Sequence, residues 1–444
     1  MSSWQVHTVA TLQGKKALLV EDGNHGEYRP LKHEFVLQGT PFIRPPDLGG
    51  GRIDFAAADH INDIAFQRVR KGIGAPGDIL FSHRATVGRM AKVPDDAPVF
   101  VVNPGITFYR VLDKKLLYPD FLYYWMQTAQ FMDQVWAVAG GSDTFPYVSL
   151  GEQRKLAIHF PTIEVQCAIG RVLRSLDDKI ELNRKTAATL EEMARALYRS
   201  WFVDFDPVWA KAEGRTPAHM DAATAALFPD SFGDDGLPVG WELTSIGEVG
   251  HIVGGSTPST KKPEFWEGGE HLWATPKDLS GLGQPVLFQT ERRVTDLGLA
   301  QISSGLSPEG TLLLSSRAPI GYLAIAQAPV AVNQGFIAIS ETEKLSGVEA
   351  YCWCHENMDA IHANANGSTF QEISKKNFRP LPYILAPEAV RETFNRDAKS
   401  LFSRLQTACA ENQTLAALRD TLLPKLMSGE LRVGEAQELV EAVA

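Results

Sequence analysis

The 444-residue chain contains itself twice, and an internal repeat of this size decides the architecture before any motif is read. FIRPPDL (42–48) matches WATPKDL (273–279), GDILFSHRATVG (77–88) matches GTLLLSSRAPIG (310–321), and VVNPGITFYRV (101–111) matches AVNQGFIAISE (331–341). WQVHTVATL (4–12) and WELTSIGEV (241–249) precede these blocks, and SDTFPYVS (142–149) and GSTFQEIS (367–374) follow them. Five blocks in one order, at offsets between 225 and 237, exclude coincidence. Such a chain folds as two similar domains.

Short apolar runs such as ILFS and ITFYRV, or TLLLSS and GFIAI, are separated by Gly, Pro and Asp turns and read as strands. Helical patches at 119–138 and 347–361 interrupt them, so each domain is mixed. Each half ends in a long amphipathic stretch, 164–202 and 387–427, with apolar residues at three and four spacing: Ile169, Val172, Leu176 and Ile180 in the first, Leu401, Leu405, Ala408 and Leu415 in the second. At ~1.5 Å per residue these helices are ~60 Å long. Domains of ~150 residues cannot cover such stripes alone, so the two helices are expected to pair as a coiled coil. Gly429 stands where a helix C-terminal glycine belongs. Asn183 and Asn412 fall at equivalent places on the two seams, where a buried Asn fixes helix register; two solvated Asn on a helix edge are the other reading.

The expected fold class is therefore α+β, with two α/β domains in tandem repeat separated by two long helices. The boundaries are 1–161 and 237–386 for the domains, 162–203 and 387–433 for the helices, 204–236 for an acidic linker and 434–444 for an acidic tail.

A net charge of −10 argues against a nucleic-acid partner only if the charge is evenly spread. It is not: 204–236 holds seven acids against two bases, and 429–444 four against one. Residues 44–92 hold eight bases against five acids, so basic surface is localised there. Four scattered cysteines (Cys167, Cys352, Cys354, Cys409) favour buried thiols over a disulfide framework or a structural metal. With no apolar run near ~20 residues and no signal-peptide pattern at the N-terminus, a cytoplasmic protein without a membrane partner is expected.

No Walker loop, H-x-x-x-H or G-x-S-x-G pattern occurs. Asn103-Pro104-Gly105 lacks the second proline and the aromatic of an adenine-methyltransferase motif. Asp177-Asp178-Lys179 has nuclease-like spacing but lies within a helix, where a solvated face is expected. What remains is the segment repeated after a strand in each half, Ser82-His83-Arg84-Ala85-Thr86 and Ser315-Ser316-Arg317-Ala318-Pro319. Hydroxyls, His and Arg suit phosphate and base-edge contacts. Arg84 and Arg317 equally suit a structural clamp on a local carboxylate or carbonyl. The candidate DNA-contacting set is Arg44, Ser82, His83, Arg84, Thr86, Arg89, Thr275, Lys277, Ser315, Ser316 and Arg317, with no metal ligands.

Three strings, LDDKIELNRKTAATLEEMARALYRSWFVDFDPV (176–208), LPVGWELTSIGEV (237–249) and LLPKLMSGELRV (422–433), make the chain resemble the specificity subunits of type I restriction-modification systems over essentially its whole length. That resemblance implies two target-recognition domains on an antiparallel, pseudo-twofold helix pair. It also implies double-stranded DNA, two modification (methyltransferase) subunits and restriction (motor and nuclease) subunits as partners. S-adenosylmethionine, ATP and magnesium would belong to those partners, with no cofactor on this chain. One departure matters: segment 13–41 finds no match in 250–270, so the two domains are expected to read different half-sites of a bipartite target. The competing readings are a fused methyltransferase-nuclease, which needs several hundred more residues, and a scaffold that has lost DNA binding.

Overall fold

The computed structural model describes residues 4–140, 145–367 and 371–442. It forms two compact units, one holding residues up to Ile180 together with those from Thr414 onward, the other Glu181–Gln413.

In the first unit a four-stranded antiparallel sheet has the order 90–92, 79–82, 106–111, 18–22. Beside it lies a five-stranded sheet whose strands Thr40–Ile43 and Phe100–Val102 run parallel. Strand Ile79–Ser82 is buried throughout because both its faces are covered. Ile79 and Phe81 pack toward the helical core, and Leu80 toward the second sheet. A strand covered on both sides reads as a continuous apolar run, which is why ILFS lacks alternation.

The second unit repeats this plan. Leu312–Ser316 is flanked by Phe336–Ser340 and Ile320–Ala326, and His271–Ala274 runs parallel to Val330–Val332. Leu312 and Leu314 face the helical core and Leu313 the other side. Each unit also pins its first strand to its last, Gln5–Thr8 to Ala157–Phe160 and Glu242–Ser245 to Pro382–Leu385.

The long helices span Ile163–Phe202 and Glu388–Ser428, and Gly429 closes the second with a φ of 76°. Within the first unit, Ile169, Val172 and Leu176 of the first helix pack with Leu415, Leu422 and Leu426 of the second. Within the second unit, Tyr198, Trp201 and Phe202 pack with Val390, Phe394 and Ala398. Early residues of one helix thus meet late residues of the other, an antiparallel pairing. Asn183 is buried and donates to Glu411 Oε2 at 2.7 Å, whereas Asn412 is half-buried.

The units do not break at 161/162 and 386/387; each takes in half of each helix. The reason is that the helices complete the domain cores. Tyr124 donates to Asp177 Oδ2 at 2.5 Å, and Arg419 Nη1 lies 2.7 Å from Asp177 Oδ1. The solvated face expected for Asp177-Asp178-Lys179 is corrected at Asp177, where the helix docks on its domain; Asp178 is exposed. In the second unit Tyr351 donates to Glu191 at 2.7 Å in the same manner.

Residues 204–236 are not a free tether. They form helices Asp206–Ala212 and Ala222–Ala226, and Val208 and Phe228 join the second unit's core beside Trp201 and Trp241. Charge counting concealed five aromatics in 202–232 (Phe202, Phe205, Trp209, Phe228, Phe232), enough apolar area to pack. The acidic tail likewise contains a helix, Val433–Glu441, which buries Ala436 in the first unit's core.

The repeat extends into the segment that showed no sequence match. Leu18–Asp22 and His251–Val253 occupy equivalent edges of their sheets, and each is followed by a glycine against the same carbonyl. A Cβ on Gly23 would lie 2.2 Å from Val102 O, and one on Gly255 1.6 Å from Val332 O. Gly23→Ala and Gly255→Ala are each expected to destabilise their own unit by about 1–3 kcal/mol, since backbone must shift to admit the methyl. Denaturant midpoints of the two variants check this; an unchanged midpoint for both contradicts it.

Candidate nucleic-acid interface

In each unit the central buried strand ends at a corner where the chain turns outward at an arginine. Arg84 is followed by Ala85 at φ 63° and Arg317 by Ala318 at φ 56°. A returning segment pairs with each corner in the same register. Val148 N–H donates to His83 O at 2.9 Å and Ile373 N–H to Ser316 O at 3.0 Å, so Tyr147 lies opposite Arg84 and Glu372 opposite Arg317. Residues 142–144 and 368–370 of the fifth repeat block lie outside the described residues.

Both corners stand on an Asx turn that explains the Asn-x-Gly strings. Asn103 Oδ1 accepts from Gly105 N–H, and Asn333 Oδ1 from Gly335 N–H, each at 2.8 Å. The Asn-Pro-Gly motif is therefore structural.

Of the predicted contact residues, four are corrected by burial. Ser82, His83, Ser315 and Ser316 are at most 3 % exposed, and the hydroxyls of two of them serve the corner from inside. Ser82 Oγ lies 3.2 Å from Thr86 Oγ1. Ser315 donates to Pro319 O at 2.9 Å and accepts from Tyr322 N–H at 2.8 Å.

His83 belongs to a buried chain of hydrogen bonds. Tyr109 donates to Gln153 Oε1 at 2.9 Å, and Gln153 Nε2 donates to Thr107 Oγ1 at 3.0 Å. Thr107 Oγ1 in turn lies 2.7 Å from His83 Nδ1. Burial pushes the His83 imidazole down to about 4, with Asp22 opposing and His25 and Arg84 adding to the shift. It is a neutral core histidine at pH 7.

Arg44 and Thr275 occupy equivalent helix caps, their N–H groups held at 2.7 Å by Asp47 and Asp278. Thr275 Oγ1 also donates to Asp278, and the Arg44 guanidinium pairs with Asp59 at 2.7 Å. Lys277 is exposed and pairs with Glu291 at 2.8 Å, which raises its pKa. Arg89 is exposed and reaches the carbonyls of Pro45 and Leu48 at 3.4 and 3.3 Å. Thr86 is half-buried.

The surface-facing residues of the set are thus Arg84, Arg89, Lys277 and, partly, Arg44 and Arg317. In the first unit Arg84 borders a groove of about 1450 Å³ that Arg29, Lys32, Phe145 and Tyr147 also line. Arg29 and Lys32 are exposed. Sequence reading missed these four, although Tyr147 sits in a repeat block at the one place where an aromatic faces an acid.

Among the described residues no group of His, Cys, Asp or Glu is placed to hold a metal. Cys352 and Cys354 are buried, and burial pushes both thiols well up. No helix among the described residues is long and apolar enough to cross a membrane.

The family model for the type I restriction modification DNA specificity domain matches residues 9–192 and 238–387, one copy on each repeat. The type I restriction enzyme HindI specificity subunit of Haemophilus influenzae is 27 % identical over 91 % of this chain and 97 % of its own length. The MjaIX specificity subunit of Methanocaldococcus jannaschii is 25 % identical over 89 % and 87 %. The crystal structure of the S subunit from M. genitalium shares the fold, with a TM-score of 0.53 at 17 % identity over 96 % of both chains. Two tandem copies of this domain on one repeated scaffold place the chain in the family of type I restriction-modification specificity subunits. Its part is DNA target recognition, as a non-catalytic specificity subunit.

Proposed function

We propose that the chain reads a bipartite, asymmetric double-stranded DNA target, one half-site per recognition domain, through the corners at Arg84 and Arg317. The observation that carries this is the pair of arginines, Arg84 exposed and Arg317 half-buried, held at equivalent places by identical backbone registers, while the residues around them differ. Two modification subunits dock on the long helices, and restriction subunits join that assembly. S-adenosylmethionine, ATP and magnesium act on those partners, in the cytoplasm. Arg44, Arg89, Thr275 and Lys277 flank the corners as backbone-positioning residues, since phosphate contacts set register and base contacts carry sequence.

Arg84→Ala and Arg317→Ala are each expected to weaken binding of the assembled methylase by about 1–3 kcal/mol where the contact is bidentate to guanine. A phosphate contact instead weakens all sequences alike and lowers the salt slope by about one. Titration of labelled duplex at several salt concentrations separates the two. Unchanged affinity for both variants, with melting intact, overturns the proposal.

A further inference from the structure

Position 147 and its repeat equivalent 372 differ in chemistry while sharing one backbone position. In the first unit the Arg84 guanidinium lies 5.9 Å from the Tyr147 ring centroid, and no carboxylate among the described residues pairs with it. In the second, Arg317 Nη1 lies 3.6 Å from Glu372 Oε2. Tyr147 is 42 % exposed and the Glu372 side chain 45 %, so both remain open to a ligand.

The consequence for recognition follows from donor and acceptor inventories. Arg84 keeps its guanidinium donors for an acceptor-rich edge, and the flat Tyr147 face beneath it neither competes for them nor cancels the charge. Guanine offers O6 and N7 to such a group. Glu372 neutralises Arg317 and turns that corner into an acceptor, whose carboxylate suits the exocyclic amino group of cytosine or adenine. Arg317 then holds the carboxylate in place. A carboxylate facing phosphate would be repelled, so the Glu372 corner fits a base edge better than backbone.

We propose that residues 147 and 372 are specificity-determining: Tyr147 leaves its corner reading guanine through Arg84, and Glu372 makes its corner read an amino-bearing base. This rests on the reading of the two corners as DNA contacts.

The test uses the specificity chain assembled with its modification subunits and a duplex library randomised over the target. Glu372→Tyr is expected to move the preferred base at one or two adjacent positions of a single half-site toward guanine. Affinity for the original target should fall at least tenfold, with the other half-site unchanged. Glu372→Gln, which keeps an acceptor oxygen, is expected to retain the original base with a smaller loss. Tyr147→Glu should alter the opposite half-site. Melting curves establish that each variant folds. Unchanged base preference in Glu372→Tyr and Tyr147→Glu overturns the inference while leaving the corners as DNA contacts, provided that Arg84→Ala and Arg317→Ala still weaken binding. Unaffected binding in the arginine variants overturns both.

Discussion

Exchanging residues 1–161 for the matching domain of a relative is expected to replace one half-site of the target completely, leaving the other half-site and the spacer as they were. Each recognition domain carries its own sheets, its own buried central strand and its own corner, so the contacts that read one half-site are all exchanged together. Specific protein–DNA complexes are typically ~10³-fold or more tighter than non-specific ones, so the original half-site should lose binding on that scale. The chimera keeps this chain's helices beneath a foreign domain. The incoming domain must therefore supply a hydroxyl where Tyr124 meets Asp177 and an apolar floor for Ile169, Val172 and Leu176. Mapping methylated adenines in cells carrying the chimera reads the outcome directly. A change in both half-sites at once would mean that reading is shared between the domains. Inserting one heptad into each long helix, which preserves the face each presents to the other, should instead change the spacer alone.

Why the two corners differ is only partly legible in the sequence. The repeat blocks located the corners because they carry buried strands and Asx turns, and these tolerate few substitutions: Asn103 and Asn333 make the same bond at the same length. The amphipathic stripes 164–202 and 387–427 fall within one residue of the long helices, since a stripe at three and four spacing has no other use over forty residues, whereas the boundary at 433 overran the second helix, which ends at Ser428. What the sequence concealed depends on packing across distant segments. His83 looks like a DNA contact beside Arg84, yet it is buried just beyond the end of a strand covered on both faces, with its ring against Thr107. Asp177 reads as solvated until Tyr124 and Arg419 are brought to it from 53 and 242 residues away. The linker reads as a tether because its charge is conspicuous and its scattered aromatics are not.

Acid is expected to loosen the first unit before the second, in a window set mainly by the buried His83, with His159, also lowered by burial, acting in the same direction. His83 titrates at about 4 in the folded chain against 6.5 for an ordinary imidazole, because burial disfavours its charged form. The unfolded chain therefore takes up a proton that the folded one refuses. Stability contributed by the neutral ring is complete above pH 6.5 and is lost as the pH falls toward 4, by about 1.4 kcal/mol per pH unit. Over the whole window that is ~3 kcal/mol, a large share of a typical domain's 5–15 kcal/mol.

The second unit holds His355, also lowered to about 4 by burial and by Arg195, and would lose stability similarly. It also buries Glu349, which accepts from Tyr383 and Asn395. Burial raises that carboxyl despite these bonds, so its protonation at low pH relieves a cost of the folded state. The two groups oppose each other, and the second unit's response is flattened. Asp22 and Glu34 barely blur the window. Lys71 and His25 hold the first below the usual carboxylate range and Arg68 holds the second at about 2, so the stability they contribute begins to fall only near the ordinary values of 3.8 and 4.5, at the acid end of the window. Limited proteolysis between pH 7.5 and 4.5, with fragments assigned to each unit, should show cleavage rising first within residues 4–180. His83→Asn should remove most of that rise and His355→Asn none of it. Earlier cleavage of the second unit, or an unaltered profile in His83→Asn, would show that some other group governs the acid response.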